Sequence, residues 1–354
     1  GVSWLVSVFI LGMAVFSLPA GLLLDRRDNR LVILIMAVVF FGSTVWAWEA
    51  STAGDFLSLL GSRFLSGAVN VVLWTASINI VGTAFVRSRQ GTGIGFLLTS
   101  ITGGFAIAHV VTPVLAGLIG WQRSFLVFGA WSLIAAGTFC IYCRGLDIRT
   151  DISTPTRADF LTVLRNRWVW ALGGAAFSAF SLNLFFNNWL PTYLVDEFGF
   201  SLAQGGVFAA VFPAIGAVAR MASGTSSDRF MDGRRNPIVL GSFVAIAPLI
   251  VLITFVRTVL LLIVVLVIAG FVTQMGLALL LPYVRELVDP NVAGTALSVL
   301  NLVGFIGAFI TPILTGLIIE RTGAYTMAFV YATVLAIVGI GLALVVPESA
   351  PMEE

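Results

Sequence analysis

Charged or Pro/Gly-rich interruptions cut the chain into eleven apolar stretches, near residues 1 to 24, 31 to 49, 57 to 84, 92 to 119, 124 to 143, 168 to 191, 201 to 224, 237 to 256, 258 to 283, 292 to 319 and 324 to 346. Each comes close to the ~20 residues a helix needs to cross ~30 Å of hydrocarbon. Strands of a membrane barrel would be about half as long and would alternate apolar with polar residues. Composition agrees: 59% of residues are hydrophobic and 10% charged, so lipid is the solvent for most of the chain. The expected fold class is an all-α membrane protein with eleven spanning helices.

All 19 basic residues are Arg, and their placement orients the spans, because short cytoplasmic loops retain positive charge. Arg26, Arg27, Arg30, Arg87, Arg89, Arg144, Arg149, Arg157, Arg165, Arg167, Arg229, Arg234, Arg235 and Arg285 fall after every second span and so on one side. The opposite side carries Arg123, Arg257 and Arg321 with acidic turns such as Asp196-Glu197. The Arg-rich side is therefore expected to be cytoplasmic in a multi-pass protein of the cell membrane. The net charge of +2 reports topology and gives no reason to expect a nucleic-acid partner.

The chain starts at Gly1 already inside an apolar span, with neither an initiator Met nor a signal-peptide pattern. One further helix is expected upstream, the alternative being a mature eleven-helix protein whose first residue lies outside. The longest hydrophilic stretch, 144–167, then divides an N-terminal half (1–143) from a six-helix C-terminal half (168–346), with a cytoplasmic tail at 347–354.

The two halves repeat the same punctuation, as homologous repeats must. Gly21-x-x-x-Asp25-Arg26 answers Gly224-x-x-x-Asp228-Arg229, Pro113-x-x-x-Gly117 answers Pro312-x-x-x-Gly316, and Trp121 to Phe125 answers Tyr325 to Phe329. The offsets are 203, 199 and 204 residues. Along its whole length the chain resembles the major facilitator superfamily of secondary transporters. The family's loop signature G-x-x-x-D-R-x-G-R-R is matched at Gly21, Asp25, Arg26 and Arg30, with Asp28 and Asn29 where Gly and Arg are usual. Both departures tolerate a left-handed turn. The R-x-x-x-G pattern of the family's fourth helix is met by Arg63 and Gly67, and its Gly/Pro-rich fifth helix by Gly103-Gly104 through Pro113 and Gly117.

The resemblance implies two pseudo-symmetric six-helix halves, a central cavity near the membrane midplane, and alternating access by rocking of the halves. It also implies a conformational latch at Gly21, Asp25, Arg26 and Arg30, with Arg220, Asp228 and Arg229 as its second-half counterpart. Independently of the family, a carboxylate such as Asp25 at a helix end can accept hydrogen bonds from a neighbouring helix N-terminus or from Arg.

Ionisable groups within hydrocarbon are costly unless they face a wet cavity or a partner. Arg63 shares one helical stripe with Gly67, Asn70, Trp74 and Ser77, at spacings of 4, 3, 4 and 3. The alternative for Arg63 is snorkelling to the outer interface. His109, the sole histidine, lies in a stripe with Thr102, Ala106 and Pro113 and is read as a packing, solute-binding or proton-carrying residue. Asn183 and Asn187 share one face of the seventh family helix with Phe180, and Gln274, Ser298 and Asn301 add neutral polar groups at membrane depth. The expected substrate-binding set is Arg63, Asn70, Trp74 and His109 from one half and Asn183, Asn187, Gln274 and Asn301 from the other.

No metal and no cofactor is expected: no second soft ligand accompanies His109, and Cys140 and Cys143 at a helix end are read as reduced packing thiols. No Walker loop appears, which argues against ATP-driven transport. An embedded enzyme would need a nucleophile with a base, or paired acids, at membrane depth, and the sequence offers neither. With Arg63 as the main buried charge and no carboxylate well inside a span, the reading is a secondary transporter of a small organic or inorganic anion, acting as a monomer. Efflux of apolar drugs or metabolites and a non-transporting sensor on the same scaffold are the alternatives. Proton, sodium and exchange coupling all stay open at this point.

Overall fold

The computed structural model describes residues 3–24, 28–84, 90–143, 157–231 and 233–348. They form α1 (Ser3–Leu24), α2 (Asn29–Ala53), α3 (Phe56–Ala84), α4 (Gln90–Ile119), α5 (Trp121–Tyr142), α6 (Arg157–Arg165), α7 (Arg167–Phe198), α8 (Leu202–Phe230), α9 (Asn236–Phe255), α10 (Val259–Glu286), α11 (Ala293–Thr322) and α12 (Thr326–Val345). Ten of these are long and apolar enough to cross a membrane; in α1 the fully described apolar run is Ser3–Ser17. The all-helical membrane fold expected from the apolar stretches is thus the one observed.

Helix ends are set by local chemistry. Asp28 caps α2 by accepting the Arg30 amide, and Asn166 caps α7 by accepting the Trp168 amide. Ser201 and Gln204 form a reciprocal capping box on α8. Gly54 and Gly199 close α2 and α7 in the left-handed region, where a side chain would be strained.

The chain separates into two compact units, Gly1–Leu97 with Val111–Ser153, and Leu98–Val110 with Thr154–Glu354. In the first, α3 packs against α1 and α2, and α2 against α5. The α1–α3 approach depends on two glycines. A Cβ on Gly12 would overlap the Phe64 carbonyl, and one on Gly67 would overlap the Phe9 carbonyl. Lipid provides no hydrophobic force between helices, so close backbone packing of this kind is what holds them.

In the second unit α7 is the central element, packed against α8, α10, α11 and α12. Its most apolar window is 67% buried, against 6% for that of α4. Gly304 and Gly307 let α11 lie directly on Phe180 and Phe177 of α7. Aromatic rings fill the space around Phe186, which stacks on Phe212 at 4.7 Å. Within the hydrophilic stretch 144–167 the structure shows a feature that the loop reading left out: α6 is amphipathic, with Val163 buried in the core of the second unit and Leu164 packed on it.

Candidate functional site

In the first unit the stripe on α3 carries the candidate residues. Arg63 is half-buried, with its guanidinium carbon 4.9 Å from the centroid of the Phe9 ring and 5.7 Å from that of Phe125. Phe9 reaches it because Gly67, one turn along α3, admits the α1 backbone at Phe9. Among the described residues Arg63 has no hydrogen-bond partner and no carboxylate. Each ring contributes up to about 2 kcal/mol when desolvated. A charged Arg at the centre of a bilayer costs from about 3 kcal/mol to more than 10 kcal/mol, depending on the reference. The two rings together supply up to about 4 kcal/mol, enough for the lower end of that range and well short of the upper, and all five N–H donors stay free for water or an anion. Asn70 and Trp74, half-buried on the same stripe, also make no hydrogen bond to a described residue.

The second unit contains a connected polar chain. Arg220 of α8 donates from Nε to Gln274 Oε1 of α10 at 3.0 Å, and from a terminal nitrogen to the Leu98 carbonyl of α4 at 3.2 Å. Gln274 Nε2 donates to Asn183 Oδ1 of α7 at 2.7 Å. Asn187, one turn on, donates from Nδ2 to Asn183 Oδ1 at 3.0 Å and to its carbonyl at 2.8 Å. The His109 side chain lies within interaction range of Asn187. Yet His109 Nε2 and Asn187 Oδ1 are both buried without a well-formed hydrogen bond.

The structure thus brings together His109, Asn183, Asn187 and Gln274 from the expected substrate-binding set and adds Arg220. The family resemblance had placed Arg220 with Asp228 and Arg229 in the second-half counterpart of the latch. It stands eight residues before Asp228, about 12 Å deeper along the helix at 1.5 Å per residue. Asn301 is half-buried and makes no hydrogen bond to a described residue, so it is not joined to this chain.

Of the other latch residues, Asp25 and Arg26 lie outside the described residues, as do the surroundings of Gly21 and the side chain of Asp228. Arg30 is held within its own unit: it grips the Asp28 carboxylate with two nitrogens, at 3.2 and 2.8 Å, and donates to the Cys143 carbonyl at the end of α5 at 2.7 Å. Arg229 is exposed and forms no ion pair with a described residue. An ion pair the sequence reading missed joins the start of α9 to the end of α10, Arg235 Nε to Glu286 Oε1 at 3.0 Å.

At the opposite end of the second unit the Tyr325 hydroxyl donates to Asp196 Oδ2 at 2.6 Å, tying α12 to α7. Burial and then the Asp196 carboxylate raise the Tyr325 phenol well above its ordinary value, which keeps the donor protonated. The rings of Phe185, Phe186, Trp189, Tyr193, Tyr325 and Phe329 and the Leu190 side chain leave a cavity of only about 10 Å³, room for one water at most.

A family model described as Major Facilitator Superfamily matches residues 1–312 and 227–354. The hexuronate transporter of Bacillus subtilis (strain 168) is 26% identical over 355 residues, covering 94% of this chain and 82% of the relative. The probable nitrate transporter NarT of Staphylococcus aureus (strain MRSA252) is 24% identical over 334 residues, again covering 94% and 82%. The crystal structure of a bacterial homolog of the human lysosomal transporter Spinster superposes with a TM-score of 0.74 at 17% identity, over 97% of this chain and 88% of that one. FucP in the outward conformation gives 0.67 at 13% identity, over 97% and 89%. With this family match spanning the helices and both copies of the charged turn, the chain belongs to the major facilitator superfamily, as a membrane-embedded secondary transporter and not an enzyme.

Proposed function

We propose that the chain carries a small organic anion, a hydroxylated carboxylate, by alternating access. The observation that carries this reading is the pair Arg63 and Arg220: two guanidiniums at membrane depth, neither facing a carboxylate among the described residues. Anions compensate such groups better than any neutral solute. The neutral amides around Arg220 add donors and acceptors that suit hydroxyl groups, which a bare inorganic ion would leave unused. Relatives at 22 to 26% identity include carriers of hexuronate, L-galactonate (probable) and nitrate (probable), and a nitrite extrusion protein, all anions. Efflux of bulky apolar compounds has less support, since the aromatic cluster of α7 and α12 is filled by its own side chains.

In this reading Arg63, Asn70, Trp74 and His109 from the first half of the sequence, and Arg220, Gln274, Asn183, Asn187 and Asn301 from the second, form the substrate-binding set. The turn Gly21 to Arg30 and its counterpart around Asp228 and Arg229 act as the latch, with linker and C-terminus cytoplasmic. Uptake of labelled glucuronate and nitrate into proteoliposomes, beside a lipophilic dye, tests the reading. Saturable glucuronate flux supports it. Dye flux with neither anion transported would overturn it in favour of efflux, and anion binding without flux in favour of a sensor.

A further inference from the structure

The polar chain of the second unit has a direction that the amides alone could not set. An Asn or Gln side chain can be turned either way, but a guanidinium can only donate. Arg220 Nε therefore requires the oxygen of Gln274 to face it, which turns the Gln274 nitrogen toward Asn183. Asn183 Oδ1 accepts from both Gln274 and Asn187, which fixes the Asn187 nitrogen as a donor. What Asn187 then has left is its oxygen, buried without a well-formed bond, and the side chain in range of it is His109, whose Nε2 is likewise buried and unpartnered. Only a donor satisfies that oxygen, so the imidazole must carry its hydrogen on Nε2. Nδ1 is left as the lone pair, the atom at which this side chain can gain or lose a proton.

The surroundings make His109 a singular group. It is the only histidine, and α4 contains no Asp, Glu, Lys or Arg. Phe105 stands beside it on α4, ring centroids 6.5 Å apart. From α7 it meets the neutral Asn187, and the charged group that the chain of bonds reaches is Arg220 of α8, through Gln274 of α10. The carboxylates of α7 and α10 sit at helix ends: Asp196 and Glu197 are nine and ten residues beyond Asn187, and Glu286 is twelve beyond Gln274. No other group within α4, α7, α8 or α10 at this depth changes charge near neutral pH.

We propose that His109 is the proton-binding group of this carrier, its protonation at Nδ1 linked to anion binding at Arg220 through the oriented amides of Gln274, Asn183 and Asn187. The inference rests on the anion reading above. An anion at Arg220 competes for the donor now given to Gln274 and places a negative charge at one end of the polar chain. A proton taken from solution onto His109 places a positive charge at the other. Linkage makes the effect reciprocal: the factor by which anion tightens proton binding is the factor by which the proton tightens anion binding.

The single histidine allows a direct test on the full chain in lipid nanodiscs, with 15N-labelled histidine followed through a pH titration. The expected neutral form is the Nε2–H tautomer. Saturating glucuronate is expected to raise the titration midpoint by about one unit, equivalent to ~10-fold tighter anion binding to the protonated protein. Asn187→Leu should abolish that shift. An Nδ1–H tautomer, or a midpoint unmoved by glucuronate or nitrate, overturns the proposal. Uptake by the wild-type protein separates the two readings: anion flux with an unmoved midpoint sinks the proton site alone, whereas no flux and no shift sinks both.

Discussion

Among the described residues Arg63 and Arg220 are the two arginines placed deep in the helices, one in each unit, and they are held in opposite ways. Arg63 is clasped by two rings and bonds to no described residue. Arg220 spends two donors on Gln274 and on the Leu98 carbonyl. A ring stabilises the charge without occupying an N–H, so Arg63 can take a ligand without losing a partner. Arg220 must exchange one partner for another, and that exchange is what lets its occupancy be felt along the amides. The first is suited to capture and the second to coupling.

The largest test of this contrast is Arg63→Gln. Loss of two or more charge-assisted bonds, each worth roughly 1.5–3 kcal/mol, should cut anion uptake by at least about 100-fold with membrane insertion intact. Undiminished flux would remove Arg63 from the binding set. Arg220→Lys keeps the charge but lacks the planar fork that spans Gln274 and Leu98 together. An uptake loss of about tenfold is expected, with loss of any pH dependence of transport; a variant that keeps its pH profile would break the link drawn between Arg220 and His109.

Next in size is Phe9→Leu, which removes one ring from Arg63 and should weaken anion affinity by roughly 5- to 30-fold, following ~1–2 kcal/mol for a desolvated cation–π contact. Binding isotherms against nitrate and glucuronate would show it. Tyr325→Phe is the control at the opposite end of the second unit. It should leave transport unchanged and cost about 1.5 kcal/mol of thermal stability. Because the phenol is raised in the folded protein, the contribution of the Tyr325–Asp196 bond is full below about pH 10 and is lost as the pH rises further.

Much of this architecture was legible in the chain. Span lengths, the all-helical class and the Arg63–Gly67–Asn70–Trp74 stripe follow from local period and hydrophobicity, which a single helix encodes by itself. What was not legible depends on which helices face one another. Arg220 reads as part of a charged turn until α8 is set against α10 and α4. Only then does its distance from Asp228 place it with Gln274. The Phe9–Arg63 contact was hidden for the same reason, since nothing in α3 says which residue of α1 its glycine will meet. By contrast α6 could have been found: Phe160, Val163 and Leu164 interrupt the charge of the linker at i, i+3 and i+4.

The glycine at position 67 has a consequence for how this protein can diverge. Its missing Cβ admits the Phe9 backbone, and the same approach carries the Phe9 ring to the Arg63 guanidinium. Positions 9, 63 and 67 therefore form one heritable unit. A lineage that places a larger residue at 67 should also lose the aromatic residue at 9, and with it the pressure to keep arginine at 63.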